Sequence, residues 1–282
     1  GILFLILFMS LFVSVYSNFL VLDNSVLTYH AYTMVFVIFI QFFLGFLFVV
    51  FPRFLIQAEI QIQEYMKQFL LYFFASLGIF LTLIFYSKVT FIFQILMLIA
   101  QIMSFKLLYS IHKKSIVKVK EDTKWVLISL FSGLVFHSLF IISSLNFPYA
   151  YELSRFAIDG GFYLFLFMVI FVISQRMIPF FTTAKAPNYV ANKSVNLLTI
   201  IFSLLAFKVI LLAFDNAKLN LLADIPLFIM ITRELIKWKL PFFKSPAIMW
   251  VLFLGLYWIP VAFFVSIIEG LMAFYDPSII FE

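Results

Sequence analysis

The sequence predicts an all-α fold, a polytopic transmembrane helix bundle of about nine spans. Three observations lead there. Of the 282 residues, 65% are hydrophobic and only 11% charged, with a mean hydropathy of +1.15, far from the averages of soluble domains. Apolar runs recur along the whole length, each close to the roughly 20 residues that cross about 30 Å of hydrocarbon as a helix. Within the runs polar and apolar residues do not alternate, which argues against the strands of a membrane barrel.

The spans fall at roughly 1–22, 26–51, 67–87, 89–110, 125–146, 151–175, 195–214, 219–235 and 247–273. The connections at 52–66, 111–124, 176–194 and 236–246 carry Pro, Lys, Arg, Asn or Gln and read as water-facing. Pro226 and Pro260 fall inside spans, where each removes a helical hydrogen bond, so kinks are expected. With no repeat and no soluble domain in view, 1–282 reads as a single transmembrane domain. The chain begins at Gly1, without Met and already inside an apolar run, and an odd span count places its two ends on opposite sides. Both features suggest part of a longer protein.

Orientation follows from the basic residues. The loops after the second, fourth, sixth and eighth spans, with their adjoining helix ends, hold fifteen of the 19 Lys and Arg, from Arg53 to Lys244. The other side holds Lys88, Arg155, Lys208 and Lys218. This bias places the N-terminus in the cytoplasm. The net charge of +6 then reflects topology and contact with anionic lipid, not nucleic-acid binding. HKKSIVKVKEDTK at 112–124 reads as a cytoplasmic loop in which His112 is solvated.

With no cysteine, disulfides, thiolate-bound metals and iron–sulfur clusters are excluded. The ten methionines do not cluster as a copper site would require. No phosphate-cradling glycine loop, nucleophile elbow or HExxH motif occurs. Chemistry therefore rests on ionisable groups inside apolar runs, which are costly there and face a partner, a cavity or a cofactor. His30 lies near the outer end of the second span. His137 lies about twelve residues into the fifth, some 18 Å along a helix and just past the midplane. Haem b best fits two such histidines on different helices, with His30 and His137 as ligand candidates; their unequal depths favour separate ligands or a single axial histidine over a bis-histidine clamp. In the alternative reading, such a histidine hydrogen-bonds Ser, Thr or Tyr across helices, and His137 has Ser132, Ser138 and Ser143 within local reach. Glu152, Arg155 and Asp159 share roughly one face at the outer start of the sixth span, so Arg155 can pair with either carboxylate. Lys208 joins this outer-half polar group by depth, although a lysine in such a run commonly snorkels to the interface.

Four stretches, in order, resemble the NnrS family of bacterial inner-membrane proteins. YHAYTMVFVIFIQFFLGFLFVVFPRF at 29–54 is similar to the family's WHAHEM segment and the apolar helix that follows. LVFHSL at 134–139 is similar to its mid-chain Phe-His helix. SQRMIPFFTTAKAP at 174–187 resembles its G-G-R-x-I-P-x-F-T-R segment, matching at Arg176, Ile178, Pro179, Phe181 and Thr182. LGLYWIPVAFF at 254–264 resembles a late helix. The resemblance implies about twelve spans, haem, an association with copper, and a role in denitrification and protection against nitric oxide, with no reaction assigned. It carries over His30 and His137 as ligand candidates, and Arg53, Arg176, Pro179 and Thr182 as motif residues of unknown role. The second histidine of WHAHEM is Tyr32 here and its glutamate is Thr33, which removes a strong ligand from any copper site. A later histidine segment of the family would follow the ninth span, beyond Glu282.

The expected function is thus an NnrS-like protein that holds haem b, with nitric oxide as a ligand. The alternatives are a cofactor-free transporter or proton-coupled channel, and an accessory subunit of a respiratory complex; a homo-oligomeric partner is also compatible. Pro179 is expected to end the sixth span at the cytoplasmic surface, with Arg176 anchoring it.

Overall fold

The structure, a computed structural model, describes residues 1–17, 19–20, 26–145, 147–185, 189–241 and 245–275, with side chains left aside at 26–27 and 184–185. The end of the first predicted span, Lys244, Glu282, the side chain of Lys185 and the last two residues of the stretch 174–187 lie outside the described residues.

Among the described residues the chain is helical throughout, with no strand. α1 is Ile2–Tyr16. α2 joins Val26–Tyr32, a π-helical Thr33–Ile38 and Phe39–Phe54. α3 is Ile62–Phe85; α4 is Thr90–Lys114, entered through a 3₁₀ turn at Ser87–Val89; α5 is Glu121–Ser143. α6 joins Ala150–Gly160, a second π-helical segment Gly161–Phe167 and Met168–Lys185. α7 is Leu197–Leu212, α8 Ala217–Trp238 and α9 Ala247–Met272. Six of these (α2 to α6 and α9) are long and apolar enough to cross a membrane; α1 and α7 are shorter apolar helices. The chain is a membrane protein, and its surface explains itself on that basis. Exposed Phe69, Phe85, Val251 and Trp258 would be a liability in water and are at home in lipid.

Two units are described separately, Gly1–Val169 and Ile170–Glu282, the division falling within α6. In the first, α1 packs on α2 and α3, α3 on α4, α4 on α5, and α5 on α6, and the two π segments meet each other. In the second, α8 packs between α7 and α9.

Glycine lets helices approach closely around the π segments. A Cβ on Gly161 would lie 2.4 Å from the Phe36 ring, and one on Gly160 would lie 2.1 Å from the Phe136 ring. Phe36 is fully buried, so its ring has nowhere to go. Gly161→Ala is therefore expected to cost about 1–3 kcal/mol through overpacking, read as a lower thermal midpoint in detergent; an unchanged midpoint would mean that the interface is loose.

The π geometry has an identifiable support. In a π segment the backbone bonds run i to i−5, as from the Phe39 N–H to the Met34 carbonyl, and normal i−4 pairing is lost. Side-chain amides reach carbonyls there: Gln41 Nε2 donates to the Val37 carbonyl at 2.8 Å, and Gln101 Nε2 from α4 donates to that of Phe36 at 3.0 Å. In lipid such groups must find partners inside the protein.

One predicted boundary is wrong. Pro179 does not end the sixth span; α6 runs on to Lys185. A proline has no N–H to give the carbonyl four residues back, here that of Gln175. Lys193 Nζ donates to that carbonyl instead, which lets the helix continue. Pro226 and Pro260 also lie inside helices, α8 and α9, as predicted.

Candidate functional site

Three buried polar centres stand out, one in the first unit and two in the second. The first is built on His137, in the middle of α5 and fully buried. Its Nε2 is 3.0 Å from Tyr32 Oη and its Nδ1 is 2.9 Å from Gln101 Oε1. Because the Gln101 amide nitrogen is committed to the Phe36 carbonyl, its oxygen faces His137 as an acceptor. That sets the tautomer: Nδ1–H donates to Gln101, and Nε2 accepts the Tyr32 hydroxyl proton. The result is a directed chain from Tyr32 through His137 and Gln101 to a π-segment carbonyl. Aromatic rings seal it, with Phe36 stacked on His137 at 4.9 Å and Phe140 on Tyr32 at 4.4 Å.

The serines expected beside His137 do other work. Ser132, Ser138 and Ser143 donate to the Ile128, Leu134 and Phe140 carbonyls of their own helix. Tyr32, singled out above as a departure from the family pattern, is in fact the partner of His137. Gln101 had only one signal in the sequence, an amide within LIAQIMSF.

His30 is not part of this centre. Residues two apart on a helix face nearly opposite ways, so His30 turns from Tyr32 toward α1. There its ring stacks on Phe12 at 4.7 Å and meets Tyr16 edge-on at 6.4 Å. It is half-buried, and its ring nitrogens make no hydrogen bond among the described residues. The two histidines are therefore not brought together.

On α6, Glu152 and Arg155 are exposed and Asp159 is half-buried, with Arg155 5.9 Å from the Tyr151 ring centre. Arg53 pairs with Glu59 at 3.0 Å, but both are largely exposed, so the pair adds little. His112 is not a solvated loop residue. It ends α4 half-buried, with Nδ1 3.0 Å from Thr123 Oγ1, while Lys120 Nζ donates to the His112 and Ser115 carbonyls at that helix end.

The second centre corrects the reading of Lys208 as a snorkelling lysine. Lys208 on α7 is 2% exposed and lies 2.5 Å from Asp224 on α8, itself fully buried. Ser266 on α9 donates to the other Asp224 oxygen at 2.7 Å. Three helices thus share one ion pair. The sequence signal was a lone lysine in one apolar run and an aspartate in the next, with nothing to say that they meet.

The third lies near the basic loops. Glu234 on α8 is 2% exposed and accepts from the Ser194 N–H at 2.9 Å and from Trp238 Nε1 at 3.0 Å. Lys237 donates to Ser194, and Tyr189 donates to the Trp238 carbonyl at 2.7 Å. Burial, with Tyr257 nearby, pushes the Tyr189 phenol up to about 12, so it remains a donor at physiological pH. This network tethers the segment after α6 to α8. Of the motif residues, Arg176 is half-buried and Pro179 buried, while buried Thr182 donates to the Ile178 carbonyl of its own helix.

Among the described residues no three His, Asp or Glu side chains group as metal ligands. Comparison with known families matches the chain to a family described as NnrS protein, over residues 1–279. No curated protein and no solved structure matches the chain.

Proposed function

The chain belongs to the NnrS family, and on that premise we propose that it is a haem-b-binding protein of the bacterial inner membrane that handles nitric oxide or nitrosative stress. The match across nearly the whole chain is the observation that carries this reading. The basic loops support a cytoplasmic N-terminus.

Haem b fits the residues at one histidine and not at the other. His30 offers an imidazole with free nitrogens at the edge of the first unit, oriented by Phe12. His137 has both nitrogens committed, and the cavity beside Gln101 holds only about 10 Å³, far below the size of a porphyrin. His30 is therefore the residue that would hold the haem iron. When bound, haem b would supply an iron able to take nitric oxide as a ligand. The Tyr32–His137–Gln101 chain then acts at a distance, holding α2, α4 and α5 in register. Copper fits less well, because the hydroxyl standing at the second position of the H-x-H pattern is committed to His137.

The purified protein should show Soret and alpha bands in a reduced-minus-oxidised spectrum. His30→Ala should abolish them, and His137→Leu should leave them in whatever protein folds. Absence of the bands from the unmodified protein would remove the haem reading; bands that survive His30→Ala would remove the ligand assignment.

One observation favours a second reading, a proton-coupled transporter. A sealed Lys208–Asp224 pair in an apolar bundle is the kind of group that proton carriers use. Proton uptake into liposomes that is lost in Asp224→Asn, from a protein without haem bands, would favour it.

A further inference from the structure

The end of the first unit opposite the basic 112–124 loop contains a cavity of about 670 Å³. The starts of α2, α4 and α6 and the end of α5 line it, with the ring of Phe140 separating it from Tyr32. Gln94 is the informative residue in its wall. It is 1% exposed, and neither its amide nitrogen nor its oxygen has a hydrogen-bond partner. A buried amide left in that state is costly, so its place on the cavity wall calls for a partner inside the cavity.

The rest of the lining identifies the partner. Lys88 is the one charged side chain among the described lining residues, which include no carboxylate. The Tyr29, Ser87 and Ser144 hydroxyls have no partner among the described residues and are free to donate. Ser143 and Ser154 have spent their protons on the Phe140 and Tyr151 carbonyls and contribute only lone pairs. One cation, several free donors and an orphaned amide suit a ligand that is negative and rich in acceptor oxygens.

We infer that this cavity binds a phosphate-class oxyanion, with Gln94 and Lys88 as its principal contacts. The volume admits either a free phosphate or the headgroup of an anionic phospholipid, since the cavity opens at a helix-end surface of a membrane protein.

The test uses the full chain in phospholipid-free detergent. Inorganic phosphate and phosphatidylglycerol are titrated separately at constant ionic strength, and the thermal midpoint is followed. One or both should raise the midpoint saturably, which identifies the source. Gln94→Leu and Lys88→Gln should each weaken that response at least tenfold. Gln94→Leu removes two unpaired polar atoms from a buried position, so the variant should fold at least as well as the parent and remain interpretable. No response to either ligand would overturn the inference, leaving water as the partner of Gln94. A response that survives both substitutions would overturn it equally.

Discussion

Replacing Asp224 with leucine, or Lys208 with methionine, is expected to lower stability by about 3–5 kcal/mol, the largest single-site loss in the second unit. Each change leaves the other charge in a bundle from which water is excluded, since Lys208 is 2% exposed and Asp224 fully buried. Coulomb attraction across 2.5 Å offsets the desolvation of both ions in the parent, and an ion that loses its counter-charge keeps most of that cost. The double variant Lys208→Met/Asp224→Leu should recover most of the loss, because an apolar pair of similar volume needs no solvation. Ser266 then loses its carboxylate, but a serine hydroxyl can turn back to its own helix, as Ser129 and Ser138 do. Unfolding midpoints in an SDS titration give the cycle directly. If either single variant loses less than about 1 kcal/mol, the pair behaves as a surface pair and water reaches it.

Hydropathy made the helices legible, because a span is a local property: some twenty residues either bear burial in lipid or do not. The predicted sixth span ended too early because local rules see the missing N–H of Pro179 and cannot see Lys193 arriving from the next segment to take the Gln175 carbonyl. The π segments were invisible for the same reason. Nothing in TMVFVI marks one extra residue per turn; the Phe36 carbonyl is satisfied by Gln101, 65 positions away. The site followed the same division. His30 and His137 were visible as ionisable side chains in apolar runs, whereas their partners depend on which helices meet. His137 found Tyr32 and Gln101 in place of the serines of its own helix, and Lys208 found Asp224 in place of the interface. A polar residue in a membrane run announces that it has a partner, and only packing says which.

That distinction makes His137 the second decisive residue. His137→Leu is expected to cost about 3 kcal/mol, because it leaves the Tyr32 hydroxyl and the Gln101 oxygen buried without partners, at about 1–3 kcal/mol each. Gln101→Leu should cost a similar amount, since it strands both Nδ1–H of His137 and the Phe36 carbonyl of the π segment. Tyr32→Phe should cost less, about 1–2 kcal/mol, because only the Nε2 lone pair loses its donor and the rings of Phe36 and Phe140 keep their stacking. Tyr32→Phe combined with His137→Leu should fall short of the sum, because the first change removes a group that the second would orphan. Thermal midpoints in detergent establish the order. A purely local histidine would give the reverse pattern, with Gln101→Leu and Tyr32→Phe both silent. The spectrum supplies the independent reading: loss of the haem bands from folded His137→Leu would assign the ligand to His137 and require its bond to Tyr32 to open, whereas retention leaves His137 as the residue that positions the π segment of α2.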